Sequence, residues 1–310
     1  MSTAASSSGG EDLARGNYSD AYPPAKVAAP LQSLKDVGED TVGKIVQVRA
    51  WIQNTRMQGA KMAFVQLREE RSWTIQGVVI ASPTGTPVSR QMVKWVGGLQ
   101  LESFVSAEGT IQRVHVPIKS CKITDYEILL TKVFCQARGP EKLGLSFAAA
   151  NQAVSRIDEQ DPGEEELQNL NINKKVVPAA GLATHLSNPV MHKRAPVQQA
   201  IADVRMTVRH IFSEYLESMG FNQFEPPCLL GTASEGGANV FKLPYFGRDA
   251  FLAQSPQFYK QIEIAGGRKK VYCIGPTFRA ENSNTPRHMT EVCWRTFAHL
   301  NTVQASLNIL

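Results

Sequence analysis

The sequence predicts an α+β chain in which a small five-stranded β-barrel precedes an antiparallel sheet with flanking helices. Between residues 42 and 137, five segments alternate apolar and polar residues and are separated by glycine, proline and polar turns. From Val197, apolar residues recur at helical spacing as far as Met219, and Gly220 follows as a helix stop. Residues 271–291 form two short extended runs joined by a polar loop. These three patterns predict a barrel, a long amphipathic helix and part of a sheet.

Composition places the chain among ordinary globular proteins of about two domains, since its 310 residues are 43% hydrophobic and 20% charged. The formal net charge of +5 favours a polyanionic partner only weakly. The basic residues are concentrated between Lys242 and His288, a stretch that contains eight lysines and arginines and three acidic residues. No apolar run of about 18 residues occurs, which argues against a membrane-spanning class.

The five cysteines are scattered along the chain and form no C-x-x-C pair, so they predict reduced thiols rather than a metal site. Composition and pattern divide the chain into five segments. They are a disordered extension (1–38), the barrel (39–137), a hinge or linker (138–196), a helix-and-sheet segment (197–291) and a tail (292–310).

The second barrel strand carries a candidate nucleic-acid contact. Ala63, Val65 and Leu67 alternate with Phe64 and Gln66, so one set faces the core and the other faces outward. An outward Phe64 beside polar residues would suit base stacking, whereas the inverted register would make it a core residue. Alternation alone leaves both registers open.

The stretch QSPQFYKQIEIAGG predicts a helix with Ser255 as its N-cap, Pro256 in its first turn and Gly266 beyond its end. Gln257 and Lys260 are three residues apart and therefore share a face. A lysine beside an amide donor can bind a carboxylate. The alternative is a solvated lysine on a surface helix.

The stretch GPTFRAE predicts a strand that places Thr277, Arg279 and Glu281 on one side and Phe278 and Ala280 on the other. A strand face that carries charges of both signs is expected to line a ligand. With the basic loop that follows, this side suits an anionic ligand.

In order along the chain, these stretches resemble the aspartyl-tRNA synthetase family, class II enzymes, in its eukaryotic cytosolic form. The resemblance rests on NTRMQGAKMAFVQLR, TIQG and PIKSCKITDYEI in the barrel, and on SEGGANVF, AQSPQFYKQ and VYCIGPTFRAENSNTPRHMTE further on. It implies that the barrel is an OB-fold anticodon-binding domain. It also implies that residues 197–291 are an incomplete class II catalytic sheet containing motifs 1 and 2.

The resemblance further implies site residues at matching positions. Anticodon bases would be contacted by stacking on Phe64 and by hydrogen bonds from Arg56, Gln76, Ser120 and Glu127. Aspartate would be bound by Glu235, Ser255, Gln257, Lys260 and Arg279. ATP would be bound by Arg279, the catalytic residue at the α-phosphate, and by Glu281, Arg287, His288 and Glu291.

The implied function is ATP-dependent activation of aspartate and its transfer to tRNA(Asp), in the cytoplasm and by a homodimer. Mg²⁺ would accompany ATP, with its ligands expected beyond this chain. The chain departs from the family at Val292, where a phenylalanine is expected, and it lacks motif 3. We therefore expect that it forms no aspartyl-adenylate alone.

Two other interpretations stay open. The chain could be a non-catalytic RNA-binding module that uses the barrel, or an asparaginyl-tRNA synthetase-like protein. Lys260 favours aspartate, because an ammonium group prefers a carboxylate to a neutral amide.

Overall fold

The computed structural model describes residues 12–20, 29–152, 179–233, 240–281 and 289–299. The chain forms two compact units, residues 1–202 and residues 203–310. The boundaries of the five segments that the sequence predicts stay predictions.

The first unit contains the predicted five-stranded barrel. Its strands are β2 (Ile45–Gln58), β3 (Met62–Arg68), β4 (Thr74–Ile80), β5 (Phe104–Arg113) and β6 (Tyr126–Ala137), and a short strand β1 (Tyr18–Ser19) lies on β6. Strand β2 pairs antiparallel with β3 and β5, β3 with β4, and β5 with β6, while the parallel pair β4–β6 closes the barrel. This order, with one parallel closure, is that of an OB fold and confirms the prediction.

Side-chain alternation along β3 decides the register that the sequence left open. Ala63, Val65 and Leu67 are each at most 2% exposed and belong to the barrel core. Phe64 and Gln66 lie on the other face and are partly exposed. Phe64 is therefore an outward-facing residue of the barrel.

A helix that the alternating segments do not reveal packs on the barrel. Helix α1 (Arg90–Gly97) begins after Ser89, whose Oγ accepts a hydrogen bond from the Met92 amide at 3.1 Å. Met92, Val93 and Val96 are fully buried against the barrel strands. The serine cap and the 3–4 spacing of these apolar residues are the signal for this helix.

Part of the predicted disordered extension is packed on the barrel. Tyr18 pairs in parallel with Val133 and is 4% exposed, and Leu34 is 1% exposed in the same core. The Tyr18 hydroxyl also donates to Asp12 Oδ2 at 2.5 Å. The prediction overlooked these two apolar anchors because they stand in a segment rich in serine, glycine, alanine and proline.

The residues that follow the barrel form short helices with their own small core. The helices are α2 (Phe147–Ala150), α3 (Leu182–Ser187) and α4 (Pro189–Arg194), and the core consists of Leu145, Ala150, Met191 and Ala195. A buried ion network joins α4 to the barrel. Glu102 accepts from Arg68 at 2.8 and 2.6 Å and from Arg194 at 2.8 Å.

The long helix α5 (Pro196–Ser218) matches the predicted amphipathic helix and crosses the boundary between the units. It ends before Gly220, whose positive φ of 79° suits glycine at a helix C-terminus. The other elements of the second unit are β7 (Asn222–Gln223), β8 (Leu229–Leu230), β9 (Lys242–Tyr245), β10 (Arg248–Leu252), α6 (Gln257–Ala265), β11 (Lys270–Phe278) and β12 (Glu291–His299).

The strands of this unit form two three-stranded sheets, in the orders β8-β10-β9 and β12-β11-β7. The pairs within them are antiparallel except β11–β7, which is parallel. Strand β12 pairs with β11 from Glu291 opposite Phe278 to His299 opposite Lys270. The predicted start of a separate tail at residue 292 therefore falls inside a strand.

Within the described ranges, no helix combines the length and apolar character needed to cross a membrane.

Candidate functional site

A groove of about 330 Å³ lies on the outer face of the barrel. Four of the residues predicted to contact bases line it, namely Arg56, Phe64, Gln76 and Ser120. The Arg56 guanidinium carbon lies 4.8 Å from the centroid of the Phe64 ring. A flat ring beside a guanidinium group offers a base both a stacking surface and positive charge.

The fifth predicted residue, Glu127, adjoins this groove. Gln76 on β4 and Glu127 on β6 are Cα partners, and Gln76 Nε2 donates to Glu127 Oε2 at 2.8 Å. The structure therefore brings all five predicted residues together on one face. Carboxylate and amide groups that are partly exposed there can accept from, and donate to, base edges.

Five groove residues were not predicted as contacts, and two of them carry carboxamides. Gln66 projects outward from β3 and donates through Nε2 to the backbone oxygen of Ser120 at 2.6 Å. Asn54, its Cα partner on β2, is exposed at the same edge. The alternation along β3 indicates that Gln66 faces outward, but only the pairing of strands brings it to the groove.

The second candidate site surrounds the start of α6. The helix begins at Gln257 with Pro256 as its cap, one residue later than predicted. Ser255 still satisfies a helix amide, since its Oγ accepts from the Gln257 amide at 3.1 Å. Ser255 is 6% exposed, whereas the Gln257 side chain is exposed.

Lys260 is buried in α6, with only 8% of its surface exposed. Burial lowers the pKa of its ammonium group, and the neighbouring Cys273 thiol partly opposes this effect. Among the residues that the structure describes, no carboxylate forms an ion pair with Lys260. The alternative interpretation, a solvated lysine on a surface helix, is therefore wrong. A buried ammonium group of this kind suits an anionic ligand.

A cavity of about 210 Å³ lies beside this helix start. Its lining includes Ser255, Cys273 and Thr277, together with Cys228 and Pro227 from the segment before β8. Thr277 is 4% exposed and donates to the Val292 carbonyl at 3.3 Å. The cavity thus lies between the start of α6 and the C-terminal half of β11.

The predicted charged residues of the GPTFRAE stretch lie at the end of β11 rather than within it. The strand ends at Phe278, and the Arg279 amide then donates to the Thr290 carbonyl at 2.9 Å. Arg279 and Glu281 are half-buried, and Glu291 is exposed at the start of β12. The predicted alternation stops at Phe278 because the opposing strand begins at Glu291.

Three predicted site residues, Glu235, Arg287 and His288, lie outside the described residues. The five cysteines are free thiols. Within the described part of the chain, no three histidine, cysteine, aspartate or glutamate side chains group together as metal ligands would.

A family model described as "tRNA synthetases class II (D, K and N)" matches residues 181–295. The chain is 39% identical to the cytoplasmic aspartate–tRNA ligase of Caenorhabditis elegans over 83% of its own length and 46% of that protein. A crystal structure assigned as the aspartyl-tRNA synthetase of Leishmania major has a TM-score of 0.74 at 28% identity. The match covers 89% of this chain and 50% of that one.

A likeness to asparaginyl-tRNA synthetases is weaker. The Pyrococcus horikoshii enzyme, complexed with asparaginyl-adenylate, has a TM-score of 0.62 at 27% identity, covering 83% of this chain and 50% of that chain. The chain spans about half the length of the curated relatives it matches. Over most of its own length, the chain is therefore similar to the cytoplasmic aspartate–tRNA ligases, and residues 181–295 match the class II tRNA synthetase model.

Proposed function

We propose that the protein belongs to the aspartate–tRNA ligases, which activate L-aspartate with ATP and transfer it to tRNA(Asp) in the cytoplasm, and that this chain alone binds the adenylate without forming it. The observation that carries this proposal is the buried ammonium group of Lys260, which has no ion-paired carboxylate among the described residues. Its burial raises the cost of an unpaired charge, and the side-chain carboxylate of aspartate would offset that cost. The homology to cytoplasmic aspartate–tRNA ligases supports the same assignment.

The chemistry needs no protein nucleophile, because the carboxylate of aspartate attacks the α-phosphorus of ATP directly. Arg279 would neutralise charge that develops at the α-phosphate, and Glu281 would accept from the adenine amino group. Class II synthetases use Mg²⁺ with ATP, and we assign no Mg²⁺ ligand among the described residues of this chain. Positioning and cationic neutralisation would supply most of the rate.

We propose that the barrel groove binds the anticodon of tRNA(Asp). This proposal is supported by the groove, which is lined by Arg56, Phe64, Gln76 and Ser120. Glu127 adjoins the groove and accepts a hydrogen bond from Gln76. Single-stranded bases splayed onto a sheet are commonly read by one stacking ring and several hydrogen bonds. Here Phe64 would supply the ring.

We also propose that the protein forms a homodimer through α5. An exposed apolar stripe of seven residues, each between 39% and 62% exposed, runs along this helix and just beyond its end, whereas Leu216 on the same helix is buried. Such a surface is expected to be covered by a partner. In the class II family, motif 1 of a second copy of the chain covers it. The stripe consists of Val197, Ile201, Val204, Val208, Ile211, Tyr215 and Met219.

Two binding measurements on the 310-residue chain test the proposal. The first compares hydrolysis-resistant analogues of aspartyl-adenylate and asparaginyl-adenylate by calorimetry. We expect clear preference for the aspartyl analogue, because the ammonium group of Lys260 pairs with a carboxylate. Equal affinities, or preference for the asparaginyl analogue, would contradict the assignment.

The second measurement is filter binding of tRNA(Asp) transcripts with the anticodon intact or changed. We expect Phe64→Ala to weaken binding of the intact transcript by roughly 5- to 100-fold, the loss of one stacked base. Phe246→Ala, at a phenylalanine that is 91% exposed outside the groove, is the matched control and should bind normally. Binding that ignores both the anticodon and Phe64 would refute anticodon recognition by the barrel.

Anticodon-dependent tRNA binding without binding of either adenylate analogue would favour the second candidate function, an RNA-binding module. The observation behind it is that the groove is formed entirely by barrel residues of the first unit.

A further inference from the structure

A row of polar side chains crosses all five barrel strands on the outer face. Successive Cα partners are Asn54 and Gln66, Gln66 and Gln76, Gln76 and Glu127, and Glu127 and Gln112. Four members of the row carry carboxamides, and Glu127 is its one carboxylate. The pairing of neighbouring strands, rather than proximity in sequence, brings these side chains side by side.

Glu127 is held from both sides in this row. Gln76 Nε2 on β4 donates to Glu127 Oε2 at 2.8 Å, and Gln112 Nε2 on β5 donates to Glu127 Oε1 at 2.7 Å. Because a carboxylate only accepts, both glutamines must turn their NH₂ groups toward it. One lone-pair direction of each carboxylate oxygen is then left for a donor from outside the row.

The two glutamines differ in their place relative to the groove. Gln76 lines it, whereas Gln112 lies on the far side of Glu127 and is not part of the lining. Gln112 is half-buried, and its amide is directed at the Glu127 carboxylate. The hydrogen bond of its side chain therefore goes to Glu127, which adjoins the groove, and not to a residue that lines it.

We propose that Gln112 is a positioning residue for tRNA recognition: it fixes the rotamer of Glu127 so that the carboxylate meets a donor edge of one anticodon base. This inference rests on the proposed anticodon-binding function of the barrel. The glutamate side chain has three rotatable bonds, and one glutamine alone fixes only one oxygen. The second, charge-assisted hydrogen bond restricts rotation about the last bond as well.

A double-mutant cycle on the 310-residue chain tests this proposal. The variants are Gln112→Leu, Glu127→Ala and their combination, and Thr110→Val serves as a control on the same face of β5. The measured quantity is the ratio of dissociation constants for tRNA(Asp) transcripts with one changed anticodon base and with none. Each anticodon position is changed in turn, and melting temperatures verify that the variants fold.

We expect Gln112→Leu to lower the ratio about 5- to 10-fold at the position where Glu127→Ala lowers it, and nowhere else. The combined variant should give the same ratio of dissociation constants as Glu127→Ala alone, because Gln112 has no carboxylate left to position. Gln112→Lys, which keeps a donor, should retain most of the discrimination. Thr110→Val should retain all of it.

An unchanged ratio in Gln112→Leu, or effects of the two single changes that multiply in the combined variant, would overturn the proposal. A loss spread equally over all anticodon positions would also overturn it, since that is the result of general barrel damage. If the wild-type chain shows no discrimination at any position, the proposed anticodon-binding function fails, and this is visible before any variant is made.

Discussion

Replacing Lys260 by methionine should make the ligand-free protein more stable. Lys260 is 8% exposed, burial lowers its pKa, and no carboxylate of the described residues pairs with it. Methionine has a similar length and an apolar end, so it fills the same space without a charge that must be desolvated. We expect Lys260→Met to raise the free energy of unfolding by about 1–2 kcal/mol.

The same change should impair binding of the aspartyl-adenylate analogue. Truncating one partner of a buried charge pair costs about 2–5 kcal/mol, because the partner charge is left buried and unpaired. On this scale the dissociation constant for the analogue should rise at least about 30-fold. ATP alone makes no use of this ammonium group in the proposed site, so its affinity should change little.

Urea denaturation and calorimetry measure the two effects separately. Lys269→Met is the matched control, because Lys269 is an exposed lysine nine residues further on and should alter neither quantity. A Lys260→Met protein that is less stable and binds the analogue as tightly as before would refute the reasoning. In that case Lys260 would stabilise the folded protein and would not bind the ligand.

Two further predictions concern stability of the first unit. Glu102→Gln leaves the buried Arg68 guanidinium and the half-buried Arg194 guanidinium without their carboxylate, so urea denaturation should show a loss of about 3 kcal/mol or more; a loss below about 1 kcal/mol would contradict a structural role for this network. Burial first, and then His185 and Lys193, lower the pKa of His192 in the folded state. The folded state therefore binds fewer protons than the unfolded state, and unfolding free energy should fall as pH falls below about 6.5. His192→Gln should reduce the stability difference between pH 7.5 and pH 5.5, and an unaltered difference would contradict the assignment.

The barrel was largely predictable because each of its strands buries one face. Alternation has a period of two only when one side meets the core, and the five alternating segments all proved to be strands. Alternation did not show which of the two sets of residues along a strand faces the core. Ala63 and Phe64 are both apolar, and only the buried neighbours in the folded barrel show which of them faces inward.

Contacts between distant segments could not be predicted from periodicity. Gln112 and Gln76 meet the same carboxylate because β4 and β5 both lie beside β6, an order that the sequence of any one strand does not contain. The packing of Tyr18 and Leu34 was missed for a related reason. A single apolar residue in a polar segment has no period, so only its partner surface reveals that it is buried.

The buried charges of the two units support different roles for them. In the first unit, Glu102 is 4% exposed and is met by Arg68 and Arg194 at 2.6 to 2.8 Å, so the fold itself supplies its counter-charges. Lys260 is almost as deeply buried, yet no acid in the described part of the second unit forms an ion pair with it. A fold that gains nothing from a buried ammonium group would be expected to replace it with an apolar side chain. In the proposed function, the side-chain carboxylate of aspartate would supply the compensating charge.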